Sequence, residues 1–378
     1  MSATILISTG ARLHFGFFAH AAAFAQAGWP GVPAGSTYGG IGLMIDSPGV
    51  VLAASGHEPE QASSGRRAPG APIIQSGRDE VRCNLKGVAQ AAQLDPFAGP
   101  PVAEWPDLAS RMLKFAAIYR KRCTDRHPPA HCELELWAAI PSHRGLGAGT
   151  QLGMAVATAL ACLADDDVDR VVLAHRVGRG ARSAIGIHGF ELGGFLVDAG
   201  KEREELIGRL ETRVDVPAGW RFVLINPPGA AAGLSGPAES AALSRLPTTS
   251  PEMTGQLWRK VKQDMLPALA TANCDQFGEA LFEFGQIVGE YFRPVQGDIY
   301  SVPRAGQLVD WIRRQGFRGV AQTSWGPTLA VCCPDQQSAE SLCEKLQSEP
   351  DWNECSTRIT RLLNVGAKVQ QISSSEAC

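Results

Sequence analysis

The chain has 378 residues, enough for two domains of ordinary size or one large one, so its core needs no disulfide or metal staple. The formal charge of −3 argues against nucleic acid as a partner and confines any phosphate site to a local cluster of cations. The 10 cysteines form no Cys-x-x-Cys pair, which argues against a zinc site or a redox dithiol and points to a reduced, cytoplasmic compartment.

In chain order, Thr4–Ser8 reads as a short strand broken at Gly10. Arg12-Leu-His-Phe-Gly16 then alternates, which places Arg12 and His14 on one face. Leu13 to Ala27 imitates a signal-peptide core, but His14, His20 and Gln26 interrupt it. No apolar run reaches the ~18 residues of a membrane span. Gly28–Gly35 is a loop by its turn residues. Tyr38-Gly-Gly-Ile-Gly-Leu-Met-Ile-Asp46 leads into a strand with Val50–Ala54 as its expected hairpin partner. Glu58–Pro72 reads as a surface excursion. Arg82–Leu94 and Leu108–Lys121 read as helices, the second with Leu108, Met112, Phe115, Ala116 and Tyr119 on one face.

The stretch Pro141-Ser-His-Arg-Gly-Leu-Gly-Ala-Gly-Thr-Gln151 organises the rest. Before it, Cys132, Leu134, Leu136, Ala138 and Ile140 alternate with polar neighbours, a half-buried strand. After it, Leu152, Ala155, Val156, Ala159, Leu160 and Leu163 recur at helical spacing, with Thr150 or Gln151 as the expected first residue. Strand, glycine loop and helix start make a phosphate cradle. The glycines let a ligand reach the backbone, the helix N-terminus favours an anion, and Arg144 adds a charge. The expected phosphate contacts are Arg144, Gly145, Leu146, Gly147, Ala148, Gly149, Thr150 and Gln151. The loop is not a Walker A motif, because no Lys-Ser or Lys-Thr follows, and it lacks the third glycine of a dinucleotide fingerprint.

Asp165-Asp-Asp167 reads as a solvated acidic turn and Val168–Gly178 as a helix. From Arg179 to Asp198, Arg179, Arg182 and Ser183 offer anion contacts, and Glu191 stands among glycines with no helix or charge pair to explain it. In the second half, Trp220–Asn226 is a strand. Helices follow at Glu239–Leu246, Glu252–Thr271, Asp275–Tyr291 and Pro303–Gln315. Gly319–Thr328 is a strand entering a glycine turn, Leu329–Cys333 its return, Gln336–Leu346 a helix and Arg358–Leu363 a last strand. The Ser-rich tail from Gln370 is expected to fray.

Taken together, Arg12–Gly16, Tyr38–Asp46, the phosphate loop, Arg182-Ser-Ala-Ile-Gly186, Phe190-Glu-x-Gly-Gly-Phe195, Leu234-Ser-Gly-x-x-Glu239 and Gln322-Thr-Ser-Trp-Gly-Pro-Thr328 resemble one family. It is the beta-ribofuranosylaminobenzene 5'-phosphate synthase family of the GHMP kinase superfamily, and the resemblance spans nearly the whole chain. Ala184, where the family has glycine, and Ile187-His188-Gly189 depart from its pattern. The resemblance implies an α+β, two-domain GHMP-kinase-like fold. Residues 3–200 would form a phosphate-binding half like the second domain of ribosomal protein S5, and residues 201–372 a ferredoxin-like α/β half.

It further implies condensation of phosphoribosyl pyrophosphate with 4-aminobenzoate or 4-hydroxybenzoate in methanopterin biosynthesis, releasing carbon dioxide and pyrophosphate. Mg²⁺ is expected and no organic cofactor; a homodimer is expected, without nucleic acid or membrane. Glu191 would bind Mg²⁺ or face the ribosyl cation, and His14 would act as general acid or base. Arg12, Tyr38, Arg182, Ser183, Ser324 and Thr328 would contact the substrates. The alternatives are an ATP-dependent GHMP-family kinase, which would release no carbon dioxide, and a ligand-binding regulator without turnover. Against a kinase, the late Gly-x-Gly-Gly motif is missing and Ser324-Trp-Gly-Pro stands in its place.

Overall fold

The computed structural model describes residues 4–17, 38–57, 73–76, 79–83, 104–124, 126–202, 204–230, 233 and 236–372. The expected loop Gly28–Gly35, the excursion Glu58–Pro72 and the pair Leu234-Ser235 lie outside them. The strands are β1 (Thr4–Phe17), β2 (Gly40–His57), β3 (Ile73–Ser76), β4 (Asp79–Cys83), β5 (His131–Ala138), β6 (Phe195–Asp198), β7 (Leu210–Val214), β8 (Arg221–Asn226), β9 (Gly319–Gln322), β10 (Leu329–Cys333), β11 (Ser356–Arg361) and β12 (Lys368–Ile372). The helices are α1 (Trp105–Arg122), α2 (Ala148–Leu163), α3 (Arg170–Arg176), α4 (Ile185–Leu192), α5 (Gly236–Leu243), α6 (Pro251–Arg259), α7 (Leu266–Ala270), α8 (Cys274–Gln296), α9 (Ala305–Arg314) and α10 (Gln336–Ser348). A π-helical turn at Lys260–Met265 joins α6 to α7.

Two sheets carry the fold. The larger has the order β12-β1-β2-β5-β4-β3, with β6 on β2 and β7 on β6. β2 pairs along its whole length with β1, while its other edge takes β6 first and β5 later. The period-two reading of β5 holds: Cys132, Leu134 and Leu136 are buried and the residues between them are half-exposed. Helix α2 is apolar all round and packs across β1 and β2, the expected fate of such a helix. Burying Leu152, Met154, Val156 and Leu160 stabilises it by about 1.5–3 kcal/mol per side chain. Strands β7 and β12 follow residue 200 yet complete this sheet, so the two halves of the sequence interlock in space.

The smaller sheet, order β11-β8-β10-β9, is antiparallel throughout. Val223, Ile225, Leu329 and Val331 face α9 and α10, while Phe222, Leu224, Ala330 and Cys332 belong to the core containing α8. That alternation is the two-residue repeat of a strand covered on both faces. It builds the ferredoxin-like half, and the whole is the expected α+β architecture.

Four expectations need correction. Val50–Ala54 is no hairpin partner: β2 runs straight through, and residues 46–48 are absorbed as a bulge where Gly10 pairs with Gly49 and Ala11 with Ile45. Arg82 and Cys83 end a strand rather than begin a helix, because β4 pairs with both β3 and β5, and such pairing overrides local propensity. The tail does not fray at Gln370, since β12 is paired to β1 from Thr4↔Ile372 to Ser8↔Lys368. Glu191 does lie on a helix, α4. The glycines there serve packing: a Cβ on Gly189 would sit 2.6 Å from Met44 Sδ, and one on Gly186 3.1 Å from Thr150 Cγ2.

Candidate active site

The phosphate loop, β1, the segment after α3, helix α5 and the turn after β9 meet around a cleft of about 580 Å³. The loop turns through left-handed residues His143, Gly145 and Gly147, the last capping α2 at φ 76°. Helix α2 begins at Ala148, two residues earlier than expected, and its first residues Ala148, Gly149 and Thr150 line the cleft, which brings the helix N-terminus to it. The Arg12 backbone N–H donates to the Leu146 carbonyl at 3.0 Å, tying the loop to β1.

The second half reaches in through residues 323–326. Thr323 Oγ1 donates to the Gly145 carbonyl at 2.9 Å, and the His14 N–H donates back to Thr323 Oγ1 at 3.0 Å. The Ser324 N–H donates to the His14 carbonyl at 2.6 Å. Arg144 Nη1 donates to Asn226 Oδ1 on β8 at 3.2 Å, a further bond between the halves.

Electrostatically the cleft is dominated by five guanidinium groups, from Arg12, Arg111, Arg144, Arg179 and Arg182. Its two carboxylates are Asp107 and Glu239. Glu239 is held from both sides: its Oε2 accepts from Arg182 Nη2 at 2.6 Å and its Oε1 from Trp325 Nε1 at 3.1 Å. Arg12 Nε, Arg179 Nε, Arg182 Nη1 and His14 Nε2 are buried with no hydrogen-bond partner. Buried donors left unpaired are costly, and here they surround a cavity that an anion would fill. Burial, opposed by Glu239 and aided by Arg182, lowers the Arg12 pKa to about 10. Burial, with Arg111 and Arg182 nearby, does the same to Arg179. Both stay charged at neutral pH.

The sequence-based assignments divide. Arg12, His14, Arg144, Gly145, Leu146, Gly147, Ala148, Gly149, Thr150, Arg182, Ser183 and Ser324 all line the cleft. Gln151 does not: its side chain is wholly buried, accepting from Thr9 Oγ1 at 3.0 Å and donating to the Gly186 carbonyl at 2.8 Å. Thr328 is buried beneath the late turn, where its carbonyl accepts from the Thr323 N–H, and Tyr38 packs edge-on against Phe17 behind the site. Glu191 is not a lining residue; it pairs with Arg170 on α3. No three His, Cys, Asp or Glu side chains among the described residues converge on a metal position. The cleft's donors are mainly guanidiniums, Glu239 is already engaged twice, and Asp107 alone does not make a site for a resident cation.

His14 keeps its place and loses half its expected role. Burial first, and the Arg12 charge second, lower its pKa well below the usual value, so it has no imidazolium proton to give at neutral pH. Its ring signals are expected not to titrate between pH 6 and 8 in NMR spectra; a midpoint near 6.5 would contradict this environment. The same depression makes folding stability fall as acid protonates the unfolded histidine below about pH 6.5.

Arg111, Asp107 and the paired state of Glu239 escaped the sequence reading. Arg111 stands on the polar flank of α1, where a solvated side chain is the ordinary expectation; only the fold turns it over the loop.

This architecture defines a class. Residues 108–194 match the GHMP kinases N terminal domain and residues 265–351 the GHMP kinases C terminal domain, in the order the fold requires. The chain is also similar to beta-ribofuranosylphenol 5'-phosphate synthases. It is 30% identical to that of Methanothermobacter thermautotrophicus over 205 residues, covering 50% of this chain and 60% of the relative. The Methanocaldococcus jannaschii enzyme is 27% identical over 251 residues, covering 63% and 74%. Among solved structures, mevalonate pyrophosphate decarboxylase from Streptococcus pyogenes superimposes with a TM-score of 0.61 at 14% identity, covering 96% of this chain and 97% of that one. Homoserine kinase from Cytophaga hutchinsonii gives 0.55 at 14% identity, with 97% of each chain covered. At such identities the structural likeness speaks for the fold alone.

Proposed function

We propose that the protein condenses phosphoribosyl pyrophosphate with a para-substituted benzoate, releasing pyrophosphate and carbon dioxide and forming a C-riboside. The observation that carries this reading is the convergence of five guanidiniums on a glycine loop and helix N-terminus. Such a site suits reactants that together carry a diphosphate, a phosphate monoester and a carboxylate. Among the described residues no lysine lines the cleft; its cations are forked guanidiniums, which suit paired phosphate oxygens better than a single point charge would. The relatives are named for a ribosylphenol product, which supports 4-hydroxybenzoate over 4-aminobenzoate; the family resemblance of the motifs is what suggests methanopterin biosynthesis. Any Mg²⁺ would, on this reading, travel with the diphosphate oxygens.

In the reaction the C1'–O bond breaks and its electrons leave on pyrophosphate, whose growing charge meets N–H donors already in place. The ring carbon bearing the carboxylate attacks C1'. The bond to that carboxylate then breaks, and its electrons restore the aromatic ring as carbon dioxide departs. Glu239, fixed by Arg182 and Trp325, is the carboxylate available to face the ribosyl cation. Neutral His14 serves as a hydrogen-bond partner or base.

The test supplies carboxyl-labelled 4-hydroxybenzoate with phosphoribosyl pyrophosphate. Labelled carbon dioxide and pyrophosphate in equal amounts are expected. Absence of label release, with ATP consumed against a small alcohol instead, would replace this reading by a kinase.

A further inference from the structure

Resting on the reading above, we propose that Arg111 and Arg179 form a two-arginine clamp for the diphosphate leaving group, closed over Gly149. A Cβ on Gly149 would lie 2.8 Å from Arg111 Nη2 and 3.1 Å from Arg179 Nη2, so both guanidiniums rest against the start of α2 where only a hydrogen stands. Each is anchored by its other side. Arg111 Nη1 donates to Ser142 Oγ at 3.2 Å, and the Arg179 guanidinium lies over the Phe115 ring, 4.8 Å from its centroid.

Two like charges are thus held together in a half-buried place, and among the described residues no carboxylate forms a salt bridge with either. Arg179 Nε is buried and unpartnered besides. The other pole of the cleft differs: Arg182 is paired with Glu239, which also faces Arg12. A pair of guanidiniums without a salt bridge thus meets the positive end of a 16-residue helix at Gly149, with Glu239 acting on Arg179 only at longer range. The reactant group with the highest charge, and the one whose charge rises as the C1'–O bond electrons depart, is the diphosphate. Two forked donors match its two phosphoryl groups. The ribose 5'-phosphate and the acceptor carboxylate are left to the pole around Arg12.

Calorimetric titration of the wild type, Arg111→Gln and Arg179→Gln with inorganic pyrophosphate and, separately, ribose 5-phosphate tests the clamp. Each variant should weaken pyrophosphate binding by roughly 10- to 100-fold, the worth of one charge-assisted contact, while ribose 5-phosphate affinity stays within about threefold. Gly149→Ala, which displaces both guanidiniums without removing a charge, should weaken pyrophosphate binding too and guards against a variant that fails to fold. Pyrophosphate affinity unchanged in both arginine variants overturns the clamp, as does an equal loss for both ligands or no pyrophosphate binding by the wild type. Label release from benzoate by the wild type is read separately, so the clamp can fail while the reaction stands.

Discussion

Glu239→Gln is expected to lower kcat by roughly 100- to 1,000-fold with little change in KM, the size of effect seen when one preorganised electrostatic group is removed. The side chain already occupies its place before substrate arrives: Arg182 Nη2 and Trp325 Nε1 donate to its two oxygens. Glutamine keeps the shape and one acceptor while removing the negative charge. Its absence should matter little to a bound, neutral ribosyl group and much to a cationic one, so the loss falls on kcat. Steady-state kinetics beside a melting curve makes the check. A kcat within a few-fold of wild type would remove Glu239 from the chemistry, and a rise in KM alone would make it a binding residue.

Gly147→Val is expected to abolish detectable pyrophosphate binding and to cost about 1–3 kcal/mol of stability while leaving a folded protein. Gly147 caps α2 at φ 76°, where a β-branched residue is a conformational outlier. Its Cβ would stand 2.9 Å from Arg12 Nε and 3.1 Å from Arg12 Cβ. Either Arg12 retreats or the loop does, and the bond from the Arg12 N–H to Leu146 opposes both movements. The stability cost is bounded because α2 is held by its buried flank rather than by its first residue. Calorimetry with pyrophosphate and thermal melting decide it; affinity equal to wild type would mean that no ligand approaches this backbone.

Much of this site can be read in the sequence because its parts are local. A strand, a glycine turn and a helix start lie within twenty residues, and each leaves its own pattern. The failures have physical causes too. Glu191 looked unexplained because glycines on both sides suggested a loop; Gly186 and Gly189 are instead where α4 presses on Thr150 and Met44. Arg111 drew no reading because its helix face is polar, and nothing local records that the phosphate loop passes over it. Gln151 and Thr328 belong to motifs that fold around the ligand site, yet both are buried: the Gln151 side chain ties Thr9 to Gly186, and the Thr328 carbonyl holds the late turn. Sequence adjacency to a site does not separate these duties; burial does. The tail was unreadable because β12 is exposed and polar, and only its pairing with β1 makes it a strand.

That pairing has a consequence for biosynthesis. Ser8 is joined to Lys368 and Thr4 to Ile372, so β1 waits for a strand made far later. At roughly 5–20 residues per second the ribosome needs about 20–70 s to cover that distance. Throughout, β1 can have β2 beside it but not β12, leaving one row of backbone N–H and C=O groups open to any strand that passes. The nascent chain therefore carries an open strand edge, clear of the exit tunnel, until β12 arrives. A holdase that recognises extended backbone would find its natural station there, and release would coincide with arrival of the closing strand.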